Sequence, residues 1–276
     1  MAGQRLSQRR GRAQPDGPYE GVPPHLANGL LKWFNDTLRP YQNRQINEQK
    51  LLEIAGFMRA EVEPDWRIET VLQHLMGVAQ QDGDYFLDLI DGTLQYVGSK
   101  YNAPRLKALL DAGGSVWTVS EDHKSLVKVV GDESQATYDA ATIVADEATT
   151  ELREAWTNAF GRNGDPSDAW DHAIKAVEDV LIPEMMPNNT SATLGNVVGE
   201  LAGQNGAQWR LVLPGNNQDH DVAHLVAMLR LIWPNHDRHG GSTPKRTPLE
   251  PEARAVVTLA ATIVQWHREG WVVQKR

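Results

Sequence analysis

The chain has no cysteine in 276 residues, which excludes disulfides, zinc ribbons and thiol chemistry. It also lacks long apolar runs. The longest, residues 255–264, is interrupted by threonines and falls far short of the roughly 20 residues a membrane-spanning helix needs. The arginines near the N-terminus have no apolar stretch behind them, so no signal peptide is expected, and the reading is cytoplasmic. P-loop, GxGxxG and GxSxG patterns are missing, leaving nucleotide hydrolysis and serine chemistry without support. No internal repeat of fixed period occurs. Positive charge is scarce: 27 Lys and Arg against 36 Asp and Glu give a net charge of −9. An acidic body argues against broad, non-specific binding of nucleic acid, although a local basic groove is compatible with it. Arg5, Arg9, Arg10 and Arg12 crowd the first residues and read as a solvated tail.

With 41% hydrophobic and 23% charged residues, the chain has the composition of a soluble globular protein. Its apolar residues fall mostly at helical spacing. Leu26, Leu30, Trp33, Phe34 and Leu38 share one stripe, and three further helices follow before a shorter one near residues 103–112. The period then changes. "SVWTV" and "SLVKVV" flank the polar "SEDHK", which predicts a β-hairpin near 115–130 with His123 at its exposed tip. Beyond about Tyr138 helical spacing returns. The turn "NGDPSD" offers Ser167 or Asp168 as a helix cap. Ala169, Ala173, Ile174, Val177, Val180 and Leu181 form one face, then Val222, Leu225, Val226, Leu229, Ile232 and Trp233, and finally Val256, Val257, Ala260, Ile263 and Val264. "LVLPGNN" reads as a loop, and Glu178, Asp179 and Glu184 as a solvated helix face. The expected fold is mainly all-α: an N-terminal helical module over 1–145 that includes the hairpin, and a helical bundle over 146–276.

Four of the nine histidines fall between His220 and His239, and "IWPNHDRHGG" is the densest chemistry in the chain. Two readings follow. If His220 and His224 shared a helix, their spacing would stack them as a metal-binding pair. However, Asp221 stands where a zincin needs glutamate, and His220 sits at the expected start of a helix, so no metal and no cofactor is expected. Alternatively, RNA can be cut without a metal by a base for the 2′-hydroxyl, an acid for the leaving oxygen and a fixed cation for the phosphorane charge. Histidine suits the first two tasks and arginine the third. Arg230 precedes His236 by five intervening residues; Asp237, Arg238 and His239 follow directly, and Gly240 and Gly241 allow a close turn. By spacing alone the signal of Arg230 with His236 is weak. The five tryptophans from Trp156 to Trp266 read as core or groove walls.

These residues carry a resemblance. The C-terminal half resembles the HEPN superfamily, helical bundles bearing an R-x4–6-H motif. "DHAIKAVEDVLIP", "SATLGNVVGEL", "DRHGG" and "AATIVQWHREGWVV" look like the C-terminal domain of AbiJ-type abortive-infection proteins. "RLSQRRGRAQP" and "LANGLLKWFNDTL" are similar to the short module that precedes such domains. The resemblance implies an antiphage effector acting as a metal-independent endoribonuclease, through Arg230, His236, Asp237, Arg238 and His239. It further implies RNA as substrate, a homodimer or higher homo-oligomer, and a phage-encoded trigger. Leu231 departs from the motif, which usually has a polar residue after its arginine. That departure leaves a catalytically silent domain binding a phage component or partner protein as the alternative.

Overall fold

The computed structural model describes residues 6–10, 12, 18–39, 45–215, 218–234, 246–270 and 272–276. The described chain is mainly helical with two small antiparallel sheets of two strands each. It divides into two compact units, Met1–Val129 and Val130–Arg276.

In the first unit α1 (Leu6–Arg9) precedes α2 (Pro24–Thr37), α3 (Glu48–Phe57), α4 (Ile68–Ala79), α5 (Gly83–Val97) and α6 (Ala103–Gly113). The α2 stripe expected from spacing is buried in full: Leu26, Leu30, Trp33, Phe34 and Leu38 are each 3% exposed or less. Asp82 starts α5 by accepting from the amides of Asp84 and Tyr85, replacing partners that a helix N-terminus otherwise lacks. Gly114 ends α6 at φ 70°, a left-handed conformation that glycine adopts without a Cβ penalty. The hairpin forms where alternation predicts it, from β1 (Trp117–Val119) and β2 (Leu126–Lys128), with Thr118 opposite Val127. His123 takes a positive φ in its turn. The hairpin is locked to α5 by Asp91, a buried carboxylate that accepts from the Leu126 amide at 2.6 Å. A charge-assisted bond of this kind offsets the desolvation of the carboxylate.

The second unit contains α7 (Asp132–Ala141), α8 (Glu147–Phe160), α9 (Pro166–Met185), α10 (Leu194–Ala202), a 3₁₀ turn (Gln204–Gln208), β3 (Trp209–Leu211), α11 (Ala223–Ile232), α12 (Glu250–Arg268) and β4 (Val273–Lys275). Helices α8, α9 and α12 pack on one another, and α7 covers α12. The three apolar faces expected for α9, α11 and α12 are buried, except that Trp233 is partly so.

Three details depart from the sequence expectation. The first is the division of the chain, which lies at 129/130 rather than 145/146. Helix α7 belongs with the bundle: Tyr138 and Ala141 enter its core, Tyr138 stacks on Trp156 with ring centroids 4.3 Å apart, and Arg268 of α12 donates to the Ala141 carbonyl. The second is the cap of α9, which is Asp165, bonded to the amides of Ser167 and Asp168. A carboxylate before Pro166 answers two open donors, whereas Ser167 and Asp168 already lie inside the helix. The third is a ribbon of β3 and β4, with Trp209 opposite Lys275, Arg210 opposite Gln274 and Leu211 opposite Val273. Three-residue strands carry too little alternation to be read from sequence, and this pair joins distant segments.

Candidate functional site

Arg230 occupies the last turn of α11, where the free carbonyl ends of a helix favour a cation. The helical period turns Leu229 and Ile232 into the core and leaves Arg230 and Leu231 outside; Leu231 is 65% exposed. Among the described residues the Arg230 guanidinium has no hydrogen bond and no ion pair. This contrasts with Arg246, Arg254 and Arg268, which pair with Glu252, Glu250 and Asp146 at 2.7, 2.7 and 2.6 Å.

The end of α11 is held from two sides. Trp170 of α9 donates its indole N–H to the Ile232 carbonyl at 2.6 Å. The Trp233 ring rests on Gly195 of α10 so closely that a Cβ there would stand 2.7 Å from Cζ2. Helix α10 is itself fixed at its start, because Glu178 Oε1 accepts from the Leu194 amide at 2.6 Å. Thus α9 sets the place of both α10 and the last turn of α11. His236, Asp237, Arg238 and His239, together with Gly240 and Gly241, lie outside the described residues; Arg230 is the described member of the expected set.

The His220–His224 pair does not form a helical face. His220 precedes α11 with φ 58°, and its Nδ1 is bonded to the Leu211 carbonyl at 2.9 Å. His224 is in the first turn of α11 and exposed. The residues that start this helix are Asp219, which accepts from the Asp221 amide, and Asp221, which accepts from the Ala223 amide. Among the described residues no group of three or more His, Asp or Glu could hold a metal ion.

A second concentration of titratable groups, on α8 and α9, was legible in sequence only as a solvated face. His172 Nδ1 lies 2.6 Å from Glu151 Oε2, and Lys175 lies 3.9 Å from the same oxygen and 3.4 Å from Asp171. Asp179 is exposed as a residue, yet packing strips part of the water from its carboxyl. That desolvation, reinforced by the like charges of Glu151, Glu147, Glu178 and Asp146, pushes its pKa up to about 6. Asp146 moves the other way, because the Arg268 guanidinium bonded to it favours the carboxylate. His267 on α12 is held below the usual histidine range by burial and by Arg268, against the opposing pull of Glu184 and Asp146. The signal that could have found Asp179 is the density of acids at i, i+4 spacing on α8 facing those of α9.

The tryptophans act as core. Trp156, Trp170 and Trp209 are buried, and Trp233 and Trp266 pack against the core while partly exposed. No helix of the described residues is long and apolar enough to cross a membrane. No family model matches the chain, and no curated protein or solved structure matches it either.

Proposed function

We propose that the second unit cleaves RNA without a metal, as the effector of an abortive-infection defence. The observation that carries this reading is the exposed Arg230 guanidinium, unpaired among the described residues, on the turn immediately ahead of His236, Asp237, Arg238 and His239. A cation left uncompensated in an acidic unit is available for a phosphate, which its planar fork matches.

In this reaction one histidine removes the proton of a ribose 2′-hydroxyl. The oxygen attacks the adjacent phosphorus, and the bond to the 5′-oxygen of the next nucleotide breaks. That oxygen takes a proton from a second histidine, leaving a 2′,3′-cyclic phosphate and a 5′-hydroxyl. Arginine holds the non-bridging oxygens, where charge accumulates. His236 and His239 are the acid–base candidates, Arg238 a second cation, and Asp237 a group to orient a histidine. A homo-oligomer and a phage-encoded trigger complete the proposal by resemblance. The alternative, a silent interaction domain, rests on Leu231, which follows Arg230 where the motif of the resembled family usually has a polar residue.

The test is a defined RNA oligonucleotide incubated in excess EDTA, beside one carrying a 2′-deoxy sugar at the cut position, with the products weighed by mass spectrometry. The expected result is cleavage in EDTA, a cyclic phosphate end and an intact deoxy substrate. Activity lost in EDTA and restored by magnesium, or cutting at the deoxy position, would overturn this mechanism. Complete inactivity toward RNA, with retained binding of a phage protein, would favour the interaction domain.

A further inference from the structure

The charge of the second unit is strongly segregated. Residues 132–184 contain thirteen acidic and three basic side chains, whereas residues 185–276 contain seven acidic and nine basic ones. In that second stretch Arg246, Arg254 and Arg268 are neutralised by carboxylates. Four described cations are not: Arg210, Arg230, Lys275 and Arg276. Three of these lie on or next to the β3–β4 ribbon. Its inner face buries Trp209, Leu211 and Val273. Arg210 and Gln274, opposite each other, stand on the outer face, Lys275, opposite Trp209, reaches out from the edge of the inner face, and all three are exposed, as is Arg276.

The polar contacts of these cations are with neutral groups. Arg210 donates to the Gln274 side-chain carbonyl at 3.0 Å. Lys275 lies over the Trp209 ring, 5.5 Å from its centroid. Arg276 donates to the backbone carbonyls of Trp209 and Asp219 at 3.0 and 2.8 Å. Those bonds hold the side chains in place and leave their charge intact. Asp219 and Asp221 each accept from an amide ahead of or at the start of α11, and Glu269, the acid nearest to Lys275 in sequence, accepts from the Gln265 side chain; none of the three forms an ion pair with these cations among the described residues. The ribbon joins α11 through a double link, since Leu211 N donates to the His220 carbonyl and His220 Nδ1 bonds the Leu211 carbonyl. From the start of α11 to Arg230 is about 10 Å along the helix, so the ribbon and Arg230 lie toward opposite ends of α11, with the exposed Asp219 and Asp221 just ahead of its start.

We propose that the β3–β4 ribbon binds the sugar-phosphate backbone of single-stranded RNA, next to the segment held at Arg230. The inference rests on the reading of this unit as RNA-acting and adds where the substrate lies. An acidic unit repels a polyanion everywhere except along uncompensated cations, so the field fixes the direction of approach as well as the contact.

The experiment is fluorescence anisotropy of the full chain with a short labelled 2′-O-methyl oligonucleotide, which cannot be cut, between about 0.05 and 0.2 M salt. The expected result is a triple variant, Arg210→Gln, Lys275→Gln, Arg276→Gln, that binds at least about tenfold more weakly at the low-salt end. Its log–log salt slope should fall by about 2, at roughly 0.7 for each phosphate contact of a single strand. Single variants should give fractions of that change with unaltered melting. Arg153→Gln, which removes an exposed cation from the acidic α8, should leave the slope as it is. The proposal is overturned by no binding in the wild type, by an unchanged slope in the triple variant, or by an equal drop with Arg153→Gln. Equal competition by poly-glutamate would also overturn it, in favour of an acidic protein partner. A ribbon effect without cleavage of natural RNA would sink the nuclease reading alone. Cleavage with normal binding by the triple variant would sink the ribbon alone.

Discussion

The two halves of the second unit are built to the same rules of helix packing, yet they carry opposite surfaces. On α8 and α9 the few cations are outnumbered, Glu151 is shared by His172 and Lys175, and loss of water, reinforced by the surrounding acids, pushes the Asp179 pKa up to about 6. Around α11 and the β3–β4 ribbon, cations outnumber acids and four of those described have no carboxylate partner. A random surface would intersperse its charges and let them pair. Segregation within one unit costs self-repulsion on the acidic side and leaves attraction for polyanions on the other. The acidic half also has a mechanical task, because Glu178 and Trp170 of α9 anchor α10 and the end of α11.

The comparison can be broken at the base of the acidic half. A fragment of residues 130–276 should melt cooperatively, whereas 146–276 lacks α7 and with it the burial of Tyr138 and its stack on Trp156. Burying such a ring contributes about 1.5–3 kcal/mol and the stack about 1 kcal/mol more, so the shorter fragment should melt about 10 °C lower or without a cooperative transition. Calorimetry of the two fragments side by side decides it, and equal melting would put α7 outside the bundle.

On the cationic half, Arg230→Ala should reduce RNA cleavage by about 100-fold or more, the scale of a lost transition-state charge contact, with little change in melting, because the side chain is exposed and unpaired among the described residues. Single-turnover rates on saturating RNA separate this from a binding defect. Full activity in the variant would shift the role of the cation to Arg238. His236→Ala and His239→Ala should each cost about a hundredfold if they are the acid and base.

Relieving the crowding sharpens the contrast with a smaller effect. A carboxyl raised to about 6 in the folded state, against about 3.9 unfolded, binds its proton more tightly when folded. Its penalty is therefore full above pH 6 and is relieved as pH falls through 6 toward 4. Asp179→Asn should stabilise the protein at pH 7.5 by about 1 kcal/mol, a figure discounted for exposure, and the gain should vanish near pH 4. His267, whose pKa is depressed, disfavours the folded state as it charges over part of the same range, so the difference between variant and wild type is the quantity to follow by thermal melts across pH. A constant difference would mean that the crowding of Asp179 is not electrostatic.

Smallest is the link between the halves. Trp170→Phe keeps a six-membered aromatic ring but removes the indole N–H bonded to the Ile232 carbonyl, at about 1 kcal/mol for the bond, and leaves a small cavity where the pyrrole ring stood. Hydrogen exchange should quicken at the end of α11, and cleavage should fall a few-fold. Unchanged exchange would show that Gly195 and Trp233 hold the turn without it.

The helices were legible because apolar residues repeat at their period: the α2, α9, α11 and α12 stripes are the residues that lie buried. The hairpin was legible because alternation on both sides flanks a polar turn. What escaped has a common cause in long-range contact. Helix α7 has few apolar residues, and its place is decided by Tyr138 meeting Trp156. The β3–β4 ribbon pairs three residues with three others far along the chain. The acids of α8 and α9 look like ordinary solvated positions until the two helices face each other. Within the candidate site, the sequence placed Arg230 on a helix end but could not show that Trp170 and Gly195 hold that end, since both contacts come from other helices. The His220–His224 spacing, read as an ordinary helix start, does not stack the two rings, because His220 takes a positive φ ahead of α11.

The most direct test of where RNA lies is photocrosslinking of an uncleavable 2′-O-methyl oligonucleotide bearing 4-thiouridine to the full chain, with the adducts located by mass spectrometry. The expected adducts fall on β3, β4 and the end of α11, together with the residues that follow it up to 245, and are depleted on α8 and α9. Adducts concentrated on α8 and α9, or spread evenly over both halves, would contradict a bundle that binds RNA along its uncompensated cations.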